Sequence, residues 1–371
     1  MNMLKGISMR TGKPLFHVVQ RDERPPLQAA LFRLLAVLAA LFTGGLFLFA
    51  LGLDPFAVYG TMIKGALGGK TNIREMVKIA IPLCMTSLGI TLAFKMKFWN
   101  IGAEGQICVG AIAASYFAYT HSDWPQGLLL TVMVIAGFAA GGLWGMIPAY
   151  FKTKFGTNET LFTLMMNYVA LYIIQYLREG PWKDPKSMGF PIMPRFADSA
   201  RMPTVFGVHI GWIVALALVF IVLFYLKHTK QGYELSVVGE NENTARYAGM
   251  PVKKIVLRTM FLSAALCGLS GVFQASGADK TLTETVAGGV GFTAITVAWL
   301  ARLSPVGILV VSVLFGILEK GCNTIQSVFK VSTSVADVLQ GIILFFVLGS
   351  EFFMSYRLAR REKTTALEVK A

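Results

Sequence analysis

Residues 27–53 read LQAALFRLLAVLAALFTGGLFLFALGL, and this stretch decides the fold class. Its single charged residue is Arg33, and the run is longer than the roughly 20 residues with which a helix crosses the hydrocarbon core of a bilayer. It is also too long for the apolar part of a signal peptide and lacks a clear cleavage site. We therefore expect an uncleaved first membrane span.

The composition of the whole chain agrees with this expectation. Hydrophobic residues make up 55% and charged residues 15% of the 371 residues, whereas soluble proteins carry about 25% charged residues. A soluble domain of this length cannot bury so much apolar surface, and a disordered chain would contain more charge. The net charge of +14 lies in short segments between apolar runs, with no basic stripe interleaved with aromatic residues, so no nucleic-acid partner is expected.

Further apolar segments follow the first span, and together they predict an all-α polytopic membrane protein with about ten transmembrane helices. These segments are 72–94, 98–120, 125–150, 159–178, 206–227, 257–276, 288–301, 304–321 and 334–352. Two of them, 288–301 and 304–321, are short enough to be broken helices or a tight hairpin.

The predicted organisation is a transmembrane domain at 28–352 between an N-terminal segment, 1–27, and a C-terminal tail, 353–371. The segments assigned to the inner side carry more Lys and Arg than the outer ones, which favours both termini in the cytoplasm. The proline-rich loop 179–205 then faces outward. The polar loop 228–256 faces the cytoplasm, and within it 240–248 suits a short helix.

The stretch Asn100–Gln106, NIGAEGQ, is an unusual opening for a membrane span. Two glycines in four residues weaken a helix, and a broken helix at membrane depth needs a protein-buried or water-lined setting. The Glu104 carboxylate must find a partner or water there. We interpret it either as a structural group that reaches water or caps a helix N-terminus, or as part of a substrate pathway or gate.

Three other motifs stand inside or beside spans. Thr157 or Asn158 is placed to cap a helix that begins with Glu159, while Asn167 within that helix needs a polar partner. Gly137, Gly141 and Gly145 recur every fourth residue and predict close helix packing. The stretch 288–292, GGVGF, opens a second Gly-interrupted apolar run, which hints at an internally repeated transporter.

No constellation for covalent chemistry is present. The sequence has no G-x-S-x-G or H-E-x-x-H motif, its four histidines match no metal-binding pattern, and its four cysteines form no C-x-x-C pair. The stretch 65–71, GALGGKT, is one residue short of a P-loop. We therefore expect no enzyme activity, no metal and no cofactor bound by this chain.

These motifs resemble those of permease subunits of ATP-binding-cassette importers for simple sugars and nucleosides. The resemblance runs in order over about residues 50–350. It rests on Phe98 with the NIGAEGQ motif, Val238–Met250, Ser263–Gly271, Gly291–Leu300, Ser304-Pro305 and Leu314–Gly316. Asn158-Glu159 with Leu164–Tyr168, and the long stretch before the first span, resemble the longer permease of the nucleoside branch. Trp299, Arg302 and Ser304 depart from the family's usual residues.

The resemblance implies about ten helices in the fold of vitamin B12-type importers, in a bacterial inner membrane. It also implies a second, shorter permease as partner, an extracytoplasmic binding protein or lipoprotein, and an ATPase subunit that binds ATP and Mg. The loop 228–256 would couple the permease to that ATPase.

The expected site residues form two groups. Candidates for the substrate pathway or gate are Asn100, Glu104, Gln106, Asn158, Glu159, Asn167 and Phe292. Candidates for the coupling loop are Gly239, Glu240, Asn241, Ala245, Arg246 and Gly249.

Two other functions stay open on the sequence. One is a monosaccharide permease that acts as a homodimer. The other is an ion-coupled secondary transporter, which would need ionisable groups in mid-span, where the predicted spans offer only Glu104, Glu159 and Lys78 near helix ends.

Overall fold

The computed structural model describes residues 16–20 and 26–360. These form two compact units, a central one from Ala57 to Ala336 and a second one built from the described residues on either side of it. The central unit is mostly helical, and it contains every candidate site residue.

The helices in chain order are α1 (Pro26–Ala50), α2 (Pro55–Leu67), α3 (Lys70–Lys95), α4 (Ala103–Thr120), α5 (Gln126–Phe155), α6 (Glu159–Glu179), α7 (Gly211–His228), α8 (Lys230–Glu240), α9 (Glu242–Tyr247), α10 (Val252–Phe273), α11 (Val290–Leu300), α12 (Pro305–Phe329) and α13 (Thr333–Ser355). A π-helical turn, Gln274–Asp279, continues α10. The strands are β1 (Phe16–Gln20), β2 (Thr204–Val205), β3 (Val208–His209) and β4 (Tyr356–Arg360).

Helix α10 lies at the core of the central unit, against α3, α4 and α5. Small residues permit this approach: a methyl group added at Gly141 would lie 2.7 Å from the Cα of Gly268, and one added at Gly268 would lie 2.6 Å from the Gly137 carbonyl oxygen. The predicted packing role of the glycines at 137, 141 and 145 is confirmed. Dispersion contacts of this kind hold helices together where lipid removes the hydrophobic driving force.

The central unit has two distinct ends. At one end, which we name the α8–α9 end, the Lys97 ammonium donates to the Glu240 carbonyl at 3.3 Å, and Lys152 at the end of α5 pairs with Glu159 at the start of α6. At the other end, the segment 180–210 covers the helices. There the Tyr119 hydroxyl donates to the Pro194 carbonyl at 3.0 Å.

The prediction of a mostly helical, multi-pass membrane chain is confirmed, but the count of about ten spans is not. Among the described residues, seven helices are long and apolar enough to cross a membrane, or eight if the bent pair Leu34–Ala50 and Pro55–Leu67 counts as one span. Two predicted spans are not counted. The segment 98–120 contains α4, which is 18 residues long but has the polar residues Glu104 and Gln106 in its first turn, and 288–301 contains only the 11-residue α11.

One helix boundary differs in a way that matters for the site. The predicted span 304–321 is the longer helix α12, which continues to Phe329. The buried residues Ile308, Phe315, Cys322 and Ile325 lie along it at helical spacing, so one buried stripe extends through the polar residues Glu319 and Lys320. Glu319 therefore lies within a membrane-length helix and not at its end.

The second unit adds strands that the sequence did not indicate. Strand β1 pairs antiparallel with β4, with Phe16 opposite Arg360. The predicted cytoplasmic segments 1–27 and 353–371 otherwise lie largely outside the described residues, and their assignment to the cytoplasm stays a prediction.

Candidate functional site

The break between α3 and α4 is held by amide side chains. Asn100 and Gln106 exchange two hydrogen bonds, of 3.1 and 3.0 Å, and the Asn100 oxygen also accepts from the Gly102 N–H. Asn167 of α6 accepts from the Gly105 N–H at 2.8 Å and donates to the Ile101 carbonyl at 2.9 Å. These buried amides satisfy the backbone groups that the broken helix leaves without partners.

Glu104 joins this break to a second one, the non-helical segment that precedes α11. Its two carboxylate oxygens accept from the N–H groups of Gly289 and Gly291, each at 2.7 Å, at the beginning of α11. A carboxylate at a helix N-terminus pairs with unsatisfied N–H groups and with the positive end of the helix dipole. Glu104 therefore caps α11 from a neighbouring helix, as the structural interpretation of this residue expects.

The structure thus brings together Asn100, Glu104, Gln106 and Asn167. Phe292 directly follows Gly291, which donates to Glu104, whereas Asn158 and Glu159 lie at the start of α6. Asn158 caps α6 by accepting from the Leu161 N–H at 3.2 Å, as its sequence position indicates, and Glu159 pairs with Lys152. Phe292 follows the capped turn and is 45% exposed. That these seven residues line a pathway stays a prediction.

A cavity of about 330 Å³ lies in the half of the central unit away from α8 and α9. Its walls are α3, the π-turn, the segment before α11, and α12. Its polar lining residues are Glu75, Lys78, Gln274, Asp279, Thr285 and Glu319, and its apolar lining includes Ile79, Pro82, Val286 and Val290. We call it the Glu319 cavity.

Most of the charged groups in the Glu319 cavity are paired. The Lys78 ammonium lies 2.8 Å from the Glu75 carboxylate, and the Gln274 amide donates to Asp279 at 3.1 Å. Glu319 has neither a hydrogen-bond nor an ion-pair partner among the described residues. A carboxylate inside a membrane helix that faces a cavity is by default a functional candidate.

The sequence interpretation missed this cavity. The predicted span 304–321 ends just after Glu319, which is not among the candidate residues, and Asp279 lies beyond the predicted span 257–276. The signal that identifies Glu319 is its spacing four residues after Phe315, on the stripe that continues at Cys322. No local signal brings Asp279 and Glu75 to the same cavity, because they are distant in sequence.

The predicted coupling segment forms two short helices at the α8–α9 end. Asn241 caps α9 by accepting from the N–H groups of Asn243 and Thr244. Gly239 is buried so closely against the Lys95 carbonyl that no side chain fits there, and Ala245 is fully buried. Glu240, Asn241, Arg246 and Gly249 are exposed, so a partner can contact these four but not Gly239 or Ala245.

At the opposite end, His209 is a buried residue of the covering segment 180–210, and its ring stacks on Phe273 at 6.4 Å between centroids. Neither ring nitrogen has a hydrogen-bond partner within the described part of the chain. Burial, and secondarily the nearby positive charge of Lys78, lowers the pKa of His209 to about 4. The imidazole is therefore neutral at pH 7.

Comparison with known proteins gives a consistent assignment. A family model described as "Branched-chain amino acid transport system / permease component" matches residues 72–348. A glucose ABC transporter permease protein of Haloferax volcanii is 34% identical, with 87% of this chain and 88% of that protein covered. A guanosine ABC transporter permease protein of Bacillus subtilis is 31% identical, with 87% and 94% covered.

A nucleoside ABC transporter permease protein of Lactococcus lactis subsp. cremoris is 27% identical, with 90% of this chain and 94% of that protein covered. The matches span nearly the full length of each relative and include the breaks at 96–102 and 280–289. The chain therefore belongs to this permease family and is a membrane permease subunit of an ATP-binding-cassette transporter, not itself an enzyme.

Proposed function

We propose that this permease carries nucleosides into the cell. The observation that supports this most is the similarity along 94% of the length of two relatives whose names specify guanosine or nucleosides. The Asn158-Glu159 motif resembles that of the nucleoside branch and lies at the start of α6, where Asn158 caps the helix. The volume of the Glu319 cavity falls within the range of about 300–1,000 Å³ usual for small-molecule sites.

Import of a simple sugar is the second candidate. It is favoured by the 34% identity to the glucose permease protein of Haloferax volcanii. Nucleosides and hexoses both carry vicinal hydroxyl groups, so the same polar cavity suits either solute. A secondary transporter is disfavoured because the matched relatives are ABC permeases.

The partner that supplies energy is an ATPase subunit that binds ATP and Mg, since this sequence has no Walker motif of its own. We place its docking surface on α9, where Arg246 is exposed and Tyr247 is 94% exposed. Tyrosine and arginine are the residue types that dominate binding energy at protein interfaces. We propose that closure of the ATPase moves α9, and that α8 transmits this motion to the end of α3.

The remaining assembly follows the same proposal. The chain pairs with a second, shorter permease, receives solute from an extracytoplasmic binding protein or lipoprotein, and lies in the bacterial inner membrane with both termini in the cytoplasm. The fold would be that of vitamin B12-type importers, with about ten membrane segments if α4 and α11 are counted. Labelling tests the orientation: a cysteine at Asn243 should react only from the cytoplasm and one at Ser187 only from outside. Labelling of both from one side would contradict it.

Uptake of radiolabelled solutes tests the substrate. Cells with the complete transporter should accumulate guanosine, and cells lacking only this chain should not, until it is restored. Competition separates the two candidates: excess unlabelled glucose should leave guanosine uptake unchanged. Uptake of glucose without guanosine would instead establish the sugar function.

A further inference from the structure

The backbone around the Glu319 cavity is irregular on three sides. Pro82 interrupts the hydrogen-bond ladder of α3, the π-turn Gln274–Asp279 widens the end of α10, and the segment 280–289 is non-helical before α11. Each irregularity leaves backbone groups that a membrane-embedded helix would otherwise satisfy. Such backbone is tolerated at membrane depth where it is buried in protein or lines a cavity, and π-turns concentrate at functional sites.

The lining of the cavity defines the chemistry that it accepts. Three carboxylates, Glu75, Asp279 and Glu319, face one ammonium, that of Lys78, so an anion would be repelled. An ionised carboxylate only accepts hydrogen bonds, so a ligand must supply donors. The Glu75 carboxylate is partly occupied by its ion pair with Lys78, and the Asp279 carboxylate by the hydrogen bond from Gln274. Glu319 is therefore the carboxylate of the cavity with all its acceptor positions open.

A bound metal ion does not fit these groups. Within the described residues, no group of three or more His, Cys, Asp or Glu side chains is close enough to hold one. The cavity also has an apolar wall, formed by Ile79, Pro82 and Val290, which suits a carbon framework and not a hydrated ion. A compact, neutral ligand with several hydroxyl groups matches both the polar and the apolar lining.

We propose that the Glu319 cavity binds the vicinal hydroxyl groups of the solute during transport, with the Glu319 carboxylate as their main acceptor. This inference rests on the proposed import of nucleosides or sugars and gives the solute a binding site inside the permease. Charge-assisted hydrogen bonds from two adjacent hydroxyl groups to the carboxylate make this binding site selective for solutes that carry such a pair. A ribose and a hexose share this chemistry.

A cysteine at Thr285, which lines the cavity, reports occupancy directly. In membrane vesicles with the complete transporter, guanosine should slow the labelling of Thr285→Cys by a thiol reagent at least threefold, while 2′,3′-dideoxyguanosine should not. Adding Glu319→Leu should remove the protection. Equal protection by both solutes, or none, would overturn the assignment of the hydroxyl groups to this cavity.

Uptake supplies a second readout. Glu319→Leu should reduce guanosine uptake at least tenfold, and Glu319→Gln less, because the amide oxygen still accepts. Lys320→Met, which removes a charge from the same turn without lining the cavity, should keep at least half of the wild-type uptake. Unchanged guanosine uptake in Glu319→Leu, at normal membrane abundance, would contradict the proposal. A concurrent loss of sodium or proton dependence would assign the cavity to a cation instead.

Failure of the proposed function is distinguishable. If the wild-type transporter accumulates glucose and not guanosine, the nucleoside assignment fails. The protection experiment is then repeated with glucose and, as the control solute without adjacent hydroxyl groups, 2,3-dideoxyglucose. If it accumulates neither, the proposed function and this inference are both wrong. If it accumulates guanosine without protecting Thr285→Cys, only the inference is wrong.

Discussion

Glu104 and Gly291 lie so close that the α11 backbone packs directly on the start of α4. The Gly291 N–H donates to the Glu104 carboxylate at 2.7 Å, and a methyl group added at Gly291 would overlap the Glu104 backbone. Gly289 donates to the other carboxylate oxygen at the same distance. One acidic side chain therefore joins the starts of α4 and α11, and a glycine is needed at 291 for this approach.

Removing the Glu104 carboxylate should mainly lower the stability of the fold. Glu104→Ala leaves two N–H groups of α11 without acceptors, at about 1–3 kcal/mol for each buried group. Glu104→Gln keeps one acceptor oxygen and leaves only one of these N–H groups without an acceptor, so it should cost about 1–3 kcal/mol in total. Melting temperature and initial uptake rate, measured for both variants, check this. Normal stability with lost uptake in Glu104→Gln would instead give the charge a role in the pathway.

The glycines of α5 provide a matched pair of substitutions. Gly141→Ala places a methyl group 2.7 Å from the Gly268 Cα, so we expect a loss of about 1–3 kcal/mol from overpacking. Gly127→Ala, on the same helix with no atom within 4 Å, should be neutral or slightly stabilising. Thermal unfolding of both variants in detergent is the measurement. Equal melting temperatures would show that α5 and α10 do not pack at this distance.

His209 should make the stability of the fold depend on pH. The pKa of His209 is about 4 in the folded chain and about 6.5 when unfolded, so the folded state favours the neutral imidazole. As the pH falls from 6.5 to 4, the unfolded state binds the proton first, and the free energy of unfolding decreases by up to about 3 kcal/mol. Above pH 6.5 this contribution is constant.

His209→Phe removes the titrating group while keeping a flat ring beside Phe273. Melting temperatures measured from pH 4 to 8 should therefore fall less steeply on the acid side for this variant than for the wild type. Parallel curves for the two proteins would show that His209 does not titrate in this window.

The coupling residues need a different test from the one that the sequence suggests. Ala245→Asp is a natural choice to disrupt docking, but Ala245 is fully buried, so this variant should destabilise the fold itself. Tyr247→Ala changes an exposed side chain and should lower solute-stimulated ATP hydrolysis of the complete complex at least tenfold with unchanged melting temperature. Tyr176→Ala, equally large and exposed at the other end, is the control. Undiminished stimulation in Tyr247→Ala would exclude α9 as the docking helix.

The sequence predicted the helices well because apolar runs and their charged flanks are local signals. It also identified the NIGAEGQ break, the capping role of Asn158 and the short helix within 240–248. It could not show that Asn100 pairs with Gln106, or that Glu104 reaches Gly289, because these contacts depend on how helices meet. The same limit applies to β1 and β4, which pair across almost the whole chain.

Glu319 shows a second limit. Hydropathy ends the apolar run near Gly321, because a window average does not distinguish a polar residue facing a cavity from one at a membrane surface. The buried stripe from Ile308 to Ile325 resolves the difference, since it requires α12 to continue as one helix. The structure therefore places the Glu319 carboxylate in the middle of a helix, whereas the predicted span ends just after it.

The source of energy for uptake tests the central claim most directly. The complete transporter, reconstituted in liposomes with its binding protein outside and the ATPase subunit facing the lumen, should accumulate guanosine only when MgATP is enclosed. Liposomes that lack this chain, or that enclose a non-hydrolysable ATP analogue, should accumulate none. Guanosine accumulation driven by a proton or sodium gradient in the absence of ATP would contradict the account.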